Sequence, residues 1–256
     1  MFRHPTLEKL HALGLSGMFR ALEEQMQMPD CKDLPVEERL GFLVDREATD
    51  RENRRLALRL TKAHLRLQAA LEDVDLRRPR GLDRSLLLSL ASCQWVRDRR
   101  NCLITGPTGV GKTYLACALA QKACREGLSA HYTRTSRLLD ELALARADGS
   151  HRKRLAAIER FDLLVLDDWG LAPSTDQGLR DLLEICDDRY QRRATIVASQ
   201  LPVENWHQAL ADPTLADAIL DRLVHNAHRI TLSGESMRKQ PTEASPAEAS
   251  RDASAA

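Results

Sequence analysis

The sequence is poor in aromatic residues and has no long apolar run. Aromatic side chains make up only 4% of the 256 residues, so a hydrophobic core must be built mainly from leucine, alanine, isoleucine and valine. No apolar stretch approaches the roughly 18 residues that a membrane-spanning helix needs, and the first residues lack the charged-then-apolar pattern of an export signal. We therefore expect a soluble, cytoplasmic protein with no membrane partner.

Patterns for metal ligands and disulfide bonds are also missing. The six cysteines include no C-x-x-C pair, and no histidine lies at the spacing of a metal-ligand cluster. A zinc site or a disulfide framework is therefore not expected, and reduced thiols of a cytosolic protein are the simpler interpretation. The formal net charge is only +1, so overall charge by itself does not indicate an acidic partner.

What the sequence does contain is a phosphate-binding loop at residues 106–113. The letters GPTGVGKT match G-x-x-x-x-G-K-[ST], in which backbone N–H groups point at phosphate oxygens. Lys112 then reaches the β- and γ-phosphates, and the Thr113 hydroxyl can ligate Mg²⁺. Residues 101–105 predict a buried strand and residues 112–125 a helix, whose N-terminus favours an anion. The predicted nucleotide-binding residues of this loop are Gly106, Pro107, Thr108, Gly109, Val110, Gly111, Lys112, Thr113 and Tyr114.

The pattern along the chain predicts three parts. Residues 1–80 read as an all-helical domain, residues 81–239 as alternating strands and helices, and residues 240–256 as a disordered tail. Alternation of this kind predicts an α/β fold with a parallel sheet flanked by helices. Helices are predicted at 36–46, 49–71, 86–97, 136–146, 177–193 and 214–225, strands at 130–132, 163–166 and 195–198, and a polar break at 148–154.

One predicted N-terminal helix carries an unbalanced positive charge. Four basic residues lie at helical spacing along its surface, Arg51 and Arg54 add to this charge, and Glu52 is the acidic residue that opposes them. Such a face is either an ordinary solvated surface or a surface that contacts nucleic-acid phosphates, and the sequence leaves both readings open. The candidate DNA-binding residues are Arg54, Arg55, Arg59, Lys62 and Arg66.

Polar side chains end two of the predicted buried strands. Asp167 and Asp168 follow one strand, and Ser199 and Gln200 follow the next. In an open parallel sheet the ligand crevice lies at the carboxyl ends of the strands, so all four are expected beside the phosphates. Asp167 is predicted to hold Mg²⁺ and Asp168 to orient and deprotonate the attacking water, while Ser199 or Gln200 could hold that water and sense the γ-phosphate.

Two late arginines complete the candidate site. Arg222 lies in a predicted helix, and Arg238 follows the sequence GESM. A lone arginine is most often a surface ion-pair partner. Both follow the two nucleotide motifs, however, and phosphoryl transfer needs cationic charge on the γ-phosphate.

Taken together, these motifs resemble a known family. The phosphate loop, the LVLDD strand, ASQLP at 198–202 and DPTLADAILDRLVH at 212–225 are similar to IstB-type AAA+ ATPases, the transposition helpers of bacterial insertion sequences related to the DnaC helicase loader and the DnaA initiator. The resemblance implies ATP and Mg²⁺ as cofactors, with Lys112 and Thr113 as Walker A and Asp167 and Asp168 as Walker B. It makes Ser199 or Gln200 sensor I, Arg222 an arginine finger that acts on a neighbouring subunit, and Arg238 sensor II.

The function that this resemblance implies is ATP-dependent assembly on duplex DNA as a homo-oligomeric ring or filament that serves a cognate transposase. A DnaC-like helicase loader has the same chemistry with another client. A monomeric small-molecule kinase built on the same loop, and a nucleotide-gated scaffold that never hydrolyses ATP, are further alternatives.

Overall fold

A computed structural model describes residues 4–28, 33–77, 80–171 and 175–237. The N-terminal part consists of helices α1 (Pro5–Ala12), α2 (Ser16–Gln27) and α3 (Val36–Ala63). The predicted division into helices 36–46 and 49–71 is wrong, because α3 is one continuous helix of 28 residues. Neither glycine nor proline interrupts the stretch between the two predicted helices, and the Thr49 hydroxyl donates to Asp45 O within the helix (2.9 Å). The helix ends where His64 adopts the left-handed conformation (φ 49°, ψ 37°).

A buried carboxylate ties α2 to α3. Glu47 of α3 accepts hydrogen bonds from the backbone N–H groups of Gly17 (2.7 Å) and Met18 (3.3 Å) in the first turn of α2. A side chain at position 17 would meet the Glu47 backbone, since its Cβ would lie 2.6 Å from Glu47 Cα. Burial raises the pKa of Glu47, but the hydrogen bonds from Arg51 and from these amides outweigh it and lower the pKa. The carboxylate therefore stays charged and stabilises the helix N-terminus.

The remainder of the described chain forms the predicted α/β fold, which is confirmed. Strands β1 (Asn101–Thr105), β2 (Ala130–Arg134), β3 (Leu163–Trp169), β4 (Ala194–Ser199) and β5 (Ala227–Thr231) form a five-stranded sheet. The strand order is β2-β3-β4-β1-β5, and every neighbouring pair is parallel. Strand β5 is absent from the prediction because its sequence, AHRIT, lacks an apolar run. It lies at the edge of the sheet, where polar residues such as His228 and Arg229 are tolerated.

Eight helices of the described chain follow the N-terminal three, and they correct the prediction at two places. They are α4 (Arg84–Ala91), α5 (Gln94–Arg97), α6 (Lys112–Arg125), α7 (Thr135–Ala147), α8 (His151–Glu159), α9 (Asp176–Arg189), α10 (Trp206–Ala209) and α11 (Pro213–Val224). The single helix predicted at 86–97 is divided at Cys93, whose φ is 55°. The predicted polar break is wrong from residue 151 onward, where α8 begins and buries Leu155 and Ile158.

Two hydrophobic clusters cover the two faces of the sheet. One contains α4, α5 and α6 together with Ala63, Ala69 and Val74, so the end of α3 and the segment after it pack on the same core as α6. The other contains α7, α9 and α11 and the neighbouring rings of Trp169 and Trp206, whose centroids are 5.7 Å apart. Within the described ranges, no helix is long and apolar enough to cross a membrane. The division at residue 80 stays a prediction, and the tail at 240–256 lies outside the described residues.

Candidate nucleotide site

The phosphate loop joins β1 to α6, as predicted. Its two ends need glycine for different reasons. At Gly106, φ is 144° and an added Cβ would lie 2.1 Å from Leu232 O, so the loop runs too close to the chain after β5 for any side chain. At Gly111, φ is 98°, which places the first residue of α6, Lys112, directly after a left-handed turn. The loop therefore presents the helix N-terminus towards the carboxyl edge of the sheet.

A pocket of about 390 Å³ opens beside this loop and contains most of the predicted site residues. The Lys112 ammonium donates hydrogen bonds to Gly106 O and Pro107 O (2.7 Å each), which hold it inside the loop. Three loop residues, Gly106, Pro107 and Val110, do not line the pocket, and the side chain of Val110 belongs to the hydrophobic core. The predicted residues that line the pocket are Thr108, Gly109, Gly111, Lys112, Thr113, Tyr114, Asp168 and Gln200.

Oxygen ligands suitable for a magnesium ion lie next to the loop. The Thr113 hydroxyl donates to Asp167 Oδ2 (2.8 Å), and the same carboxylate oxygen accepts a hydrogen bond from the Tyr132 hydroxyl (2.6 Å). Asp167 is only 1% exposed, so its orientation is fixed. A carboxylate and a hydroxyl are the hard donors that Mg²⁺ binds, and the pair therefore fits this ion. Sequence reasoning missed Tyr132 because only the pairing of β2 with β3 brings it to Asp167.

The second carboxylate, Asp168, is held differently from the first. Its φ of 56° is unusual for a residue other than glycine, and its N–H donates to Asp167 Oδ1 (3.0 Å). Its side chain is one third exposed and forms an ion pair with Arg134, the last residue of β2 (Nε–Oδ2 3.4 Å). Asp168 is thus turned out of the sheet and faces the pocket, where its carboxylate can contact a water molecule. Arg134 is a second residue that no sequence motif indicated.

The structure separates Ser199 from Gln200. Ser199 is fully buried, donates its hydroxyl to Trp169 O (2.8 Å) and accepts a hydrogen bond from Leu201 N (3.1 Å). Gln200 lines the pocket and accepts a hydrogen bond from the hydroxyl of Thr108 in the phosphate loop (2.6 Å). Gln200 is therefore the better candidate for a residue that contacts the nucleotide, and Ser199 joins two strand ends.

Arg222 is not part of this pocket. Asn101, the first residue of β1, donates its side-chain amide to Arg222 O (3.1 Å) and to Leu223 O (3.0 Å), whereas the phosphate loop follows the last residue of β1. Arg222 therefore lies at the amino ends of the strands, whereas the nucleotide pocket of its own chain lies at their carboxyl ends. Its guanidinium pairs with Asp187 of α9 (Nε–Oδ1 2.5 Å).

The other predicted late arginine, Arg238, lies outside the described residues. The neighbouring Met237 reaches the phosphate loop, since its N–H donates to Gly109 O (2.9 Å).

The five candidate DNA-binding residues do not form one helix face. Arg54 and Arg59 pair with Glu47 (3.3 Å) and Glu52 (2.5 Å), so Glu47 opposes the basic residues as well. Arg55 and Lys62 are exposed on α3. Arg66 comes after the end of α3 and lines the nucleotide pocket.

Arg80, in the segment between α3 and α4, is buried. Its guanidinium donates to Asp75 O (3.0 Å) and to Val110 O in the phosphate loop (3.5 Å).

The fold and the site define a P-loop ATP-binding protein of the AAA+ type. A parallel sheet in the order β2-β3-β4-β1-β5 carries the phosphate loop after β1 and two adjacent carboxylates at the end of β3. The chain belongs to the family of IstB-like ATP binding proteins, which matches residues 8–245. The resemblance inferred from the motifs is thereby confirmed.

Individual relatives agree with this assignment. A protein of Sinorhizobium fredii, named for ATP binding and for an insertion sequence, is 52% identical over 239 residues, which cover 93% of this chain and 98% of that protein. The crystal structure of DnaI is similar with a TM-score of 0.57 and 24% identity over 64% of this chain and 91% of DnaI. The DnaC helicase loader has a TM-score of 0.53 and 19% identity over 64% of this chain and 96% of that chain. At these identities the two structures support the fold alone.

Proposed function

We propose that this protein is a cytoplasmic, ATP-dependent DNA-binding ATPase that assembles on duplex DNA and helps a transposase to select or remodel its target. The relatives named for insertion sequences support a role in transposition over a role as a small-molecule kinase. The similarity to DnaI and DnaC concerns the fold, so a helicase loader remains the second candidate.

The pocket supports hydrolysis of ATP. Lys112 and the loop amides would bind the phosphates, and Thr113 and Asp167 would hold Mg²⁺, which neutralises phosphate charge during phosphoryl transfer. Asp168 would accept the proton of the attacking water, and Gln200 would position that water near the γ-phosphate. Arg238 would add positive charge, because the chain just before it lies against the loop.

The position of Arg222 carries the proposal that the active site is shared between subunits. Within one chain Arg222 and the phosphate loop lie at opposite edges of the sheet, so Arg222 cannot reach its own nucleotide. In a ring or filament the amino edge of one subunit can face the pocket of the next. An arginine supplied in this way stabilises the charge that develops on the γ-phosphate.

A basic part of α3 is the proposed DNA contact. Arg54, Arg55 and Lys62 are exposed there, whereas Arg59 is half-buried beside Glu52 and Arg66 faces the nucleotide. Assembly would place these residues in series along the DNA, so weak phosphate contacts would add up. Such contacts hold the protein on DNA without reading its sequence.

The first experiment is mass photometry with duplex DNA and ATP, ADP or no nucleotide. Large DNA-bound particles are expected only with ATP, and Lys112→Ala is expected to abolish them because it removes the ammonium that binds the β- and γ-phosphates. Lys122→Ala is the matched control, since Lys122 lies on the same helix and pairs with Glu126 away from the pocket.

Other outcomes would identify another function. Assembly on single-stranded in preference to duplex DNA would favour the helicase loader. A monomer that ignores both DNA and ATP would overturn the assembly proposal.

Removal of the exposed charges on α3 tests the DNA contact. The double variant Arg55→Ala/Lys62→Ala is expected to weaken binding to all DNA sequences. The slope of log Kd against the logarithm of the salt concentration is expected to fall by about two, roughly one for each lost phosphate contact. Fluorescence anisotropy at several salt concentrations measures both. Arg84→Ala/Arg192→Ala removes the same charge elsewhere and serves as the control. Equal losses of DNA affinity in the two double variants would contradict the assignment of α3 as the DNA contact.

A further inference from the structure

A residue from the N-terminal part of the chain reaches into the nucleotide pocket. Arg66 lies two residues after His64, at which the chain leaves α3 in a left-handed turn. Ala63 and Ala69, on either side of Arg66, are buried in the hydrophobic core that also contains Cys117 of α6. The segment therefore packs against the helix that begins with Lys112, which places Arg66 beside the pocket.

Arg66 lies near the proposed magnesium ligands. Arg66 and Tyr132 line the same cavity, and the neighbouring Tyr132 hydroxyl raises the pKa of Arg66, so the guanidinium stays charged. The Tyr132 hydroxyl in turn donates to Asp167 Oδ2 (2.6 Å), the oxygen that also accepts the hydrogen bond of Thr113 (2.8 Å). Hydrogen bonds thus connect Tyr132, the neighbour of Arg66, to Asp167 and Thr113.

Arg66 also lines the nucleotide pocket together with Lys112, Thr113 and Asp168. Lys112 belongs to the phosphate loop, whereas Arg66 belongs to the segment that continues α3. A guanidinium offers five N–H donors, more than Tyr132 can use, and phosphate oxygens are its preferred acceptors. ATP carries one more phosphate than ADP, so the attraction between this cation and the ligand differs between the two nucleotides.

We propose that Arg66 is a nucleotide-sensing residue, which hydrogen-bonds the terminal phosphate of bound ATP and returns to Tyr132 when that phosphate is lost. The proposal rests on the ATP-dependent function given above and adds a route by which the nucleotide acts on the N-terminal helices. Arg66 lies three residues after Ala63, the last residue of α3, so a shift of its side chain between the phosphate and Tyr132 would change the contacts at the end of the helix that carries Arg55 and Lys62. ATP and ADP would then favour different conformations of the proposed DNA-contacting helix, because only ATP contacts Arg66 through its terminal phosphate. A ligand can shift a conformational equilibrium only if it binds the two conformations with different affinities.

The test compares the affinities of the protein for a β,γ-imido analogue of ATP and for ADP, each with Mg²⁺. Arg66→Ala is expected to weaken binding of the ATP analogue about 10- to 100-fold, the effect of one charge-assisted hydrogen bond, and binding of ADP less than about threefold. Arg66→Lys keeps the charge and is expected to recover part of the loss. Gln68→Ala, an exposed position in the same segment, is the control.

A second readout is hydrogen exchange of the backbone amides in the last turns of α3. In the parent protein we expect protection to differ between the ATP analogue and ADP, and in Arg66→Ala this difference is expected to disappear. Equal weakening of both nucleotides in Arg66→Ala, or none, would overturn the sensing role even though the parent binds ATP. Failure of the parent itself to bind the ATP analogue would instead overturn the proposed function and the sensing role together.

Discussion

Replacement of Asp168 by asparagine is expected to lower the rate of ATP hydrolysis by about 10²–10⁴-fold, the usual contribution of a general base. Nucleotide binding is expected to persist, because Lys112 and the Thr113–Asp167 pair stay in place. Asparagine keeps the size of the side chain and the N–H that donates to Asp167, but it cannot take a proton from water. A phosphate-release assay and a nucleotide-binding assay on the same preparation separate the two effects.

The same variant distinguishes an ATPase from a scaffold that never hydrolyses ATP. If hydrolysis resets the assembly, Asp168→Asn is expected to remain on duplex DNA as large ATP-bound particles long after the parent has dissociated. Asp98→Asn, an exposed carboxylate that pairs with Gln94, is the matched control and is expected to behave as the parent. Unchanged turnover in Asp168→Asn would favour the scaffold.

Arg222→Ala is expected to bind ATP with the parent's affinity but to lose hydrolysis by about 10³–10⁵-fold, the range known for arginine fingers. Its position explains both parts of the expectation: the residue lies far from the pocket of its own chain and can contribute only to a neighbour's. ATP-dependent assembly is expected to fail as well, because the contact between subunits loses its charged partner. Nucleotide binding, phosphate release and mass photometry measure these three properties.

Two controls separate this role from the ion pair of Arg222 within one chain. Asp187→Asn breaks the pair with Arg222 but leaves the guanidinium, so hydrolysis is expected to continue. A mixture of Arg222→Ala with Lys112→Ala is expected to regain part of the activity, because one variant supplies an intact pocket and the other an intact arginine. Full hydrolysis by Arg222→Ala alone would refute the shared site.

Features that depend on a few consecutive residues were predicted well. The bounds predicted for β1 (Asn101–Thr105) and α6 (Lys112–Arg125) are those of the structure. Both flank a loop whose glycines and lysine leave little choice of conformation, so the local sequence is sufficient. The buried strands β3 and β4 were also recognisable, because a strand covered on both faces consists almost wholly of apolar residues.

Predictions failed where tertiary packing decides between conformations that are locally similar. The continuity of α3, the break at Cys93, the helix from His151 and the edge strand β5 depend on what each segment packs against. Helix propensity is a weak preference that such packing readily overrides. The polar sequence of β5 does not predict a strand, but backbone hydrogen bonds to β1 stabilise one there.

The sequence by itself determined the class of ligand, because a phosphate loop, a hydroxyl and two carboxylates are short motifs whose chemistry follows from their spacing. Only the tertiary structure decided which polar groups join them. Gln200 rather than Ser199 lines the pocket, Tyr132 contacts Asp167, and Arg134 pairs with Asp168. Arg66 reaches the pocket from the N-terminal segment, whereas Arg222 lies at the other ends of the strands. These partners are distant in sequence, and the register of the strands and the packing of α3 on α6 determine their contacts.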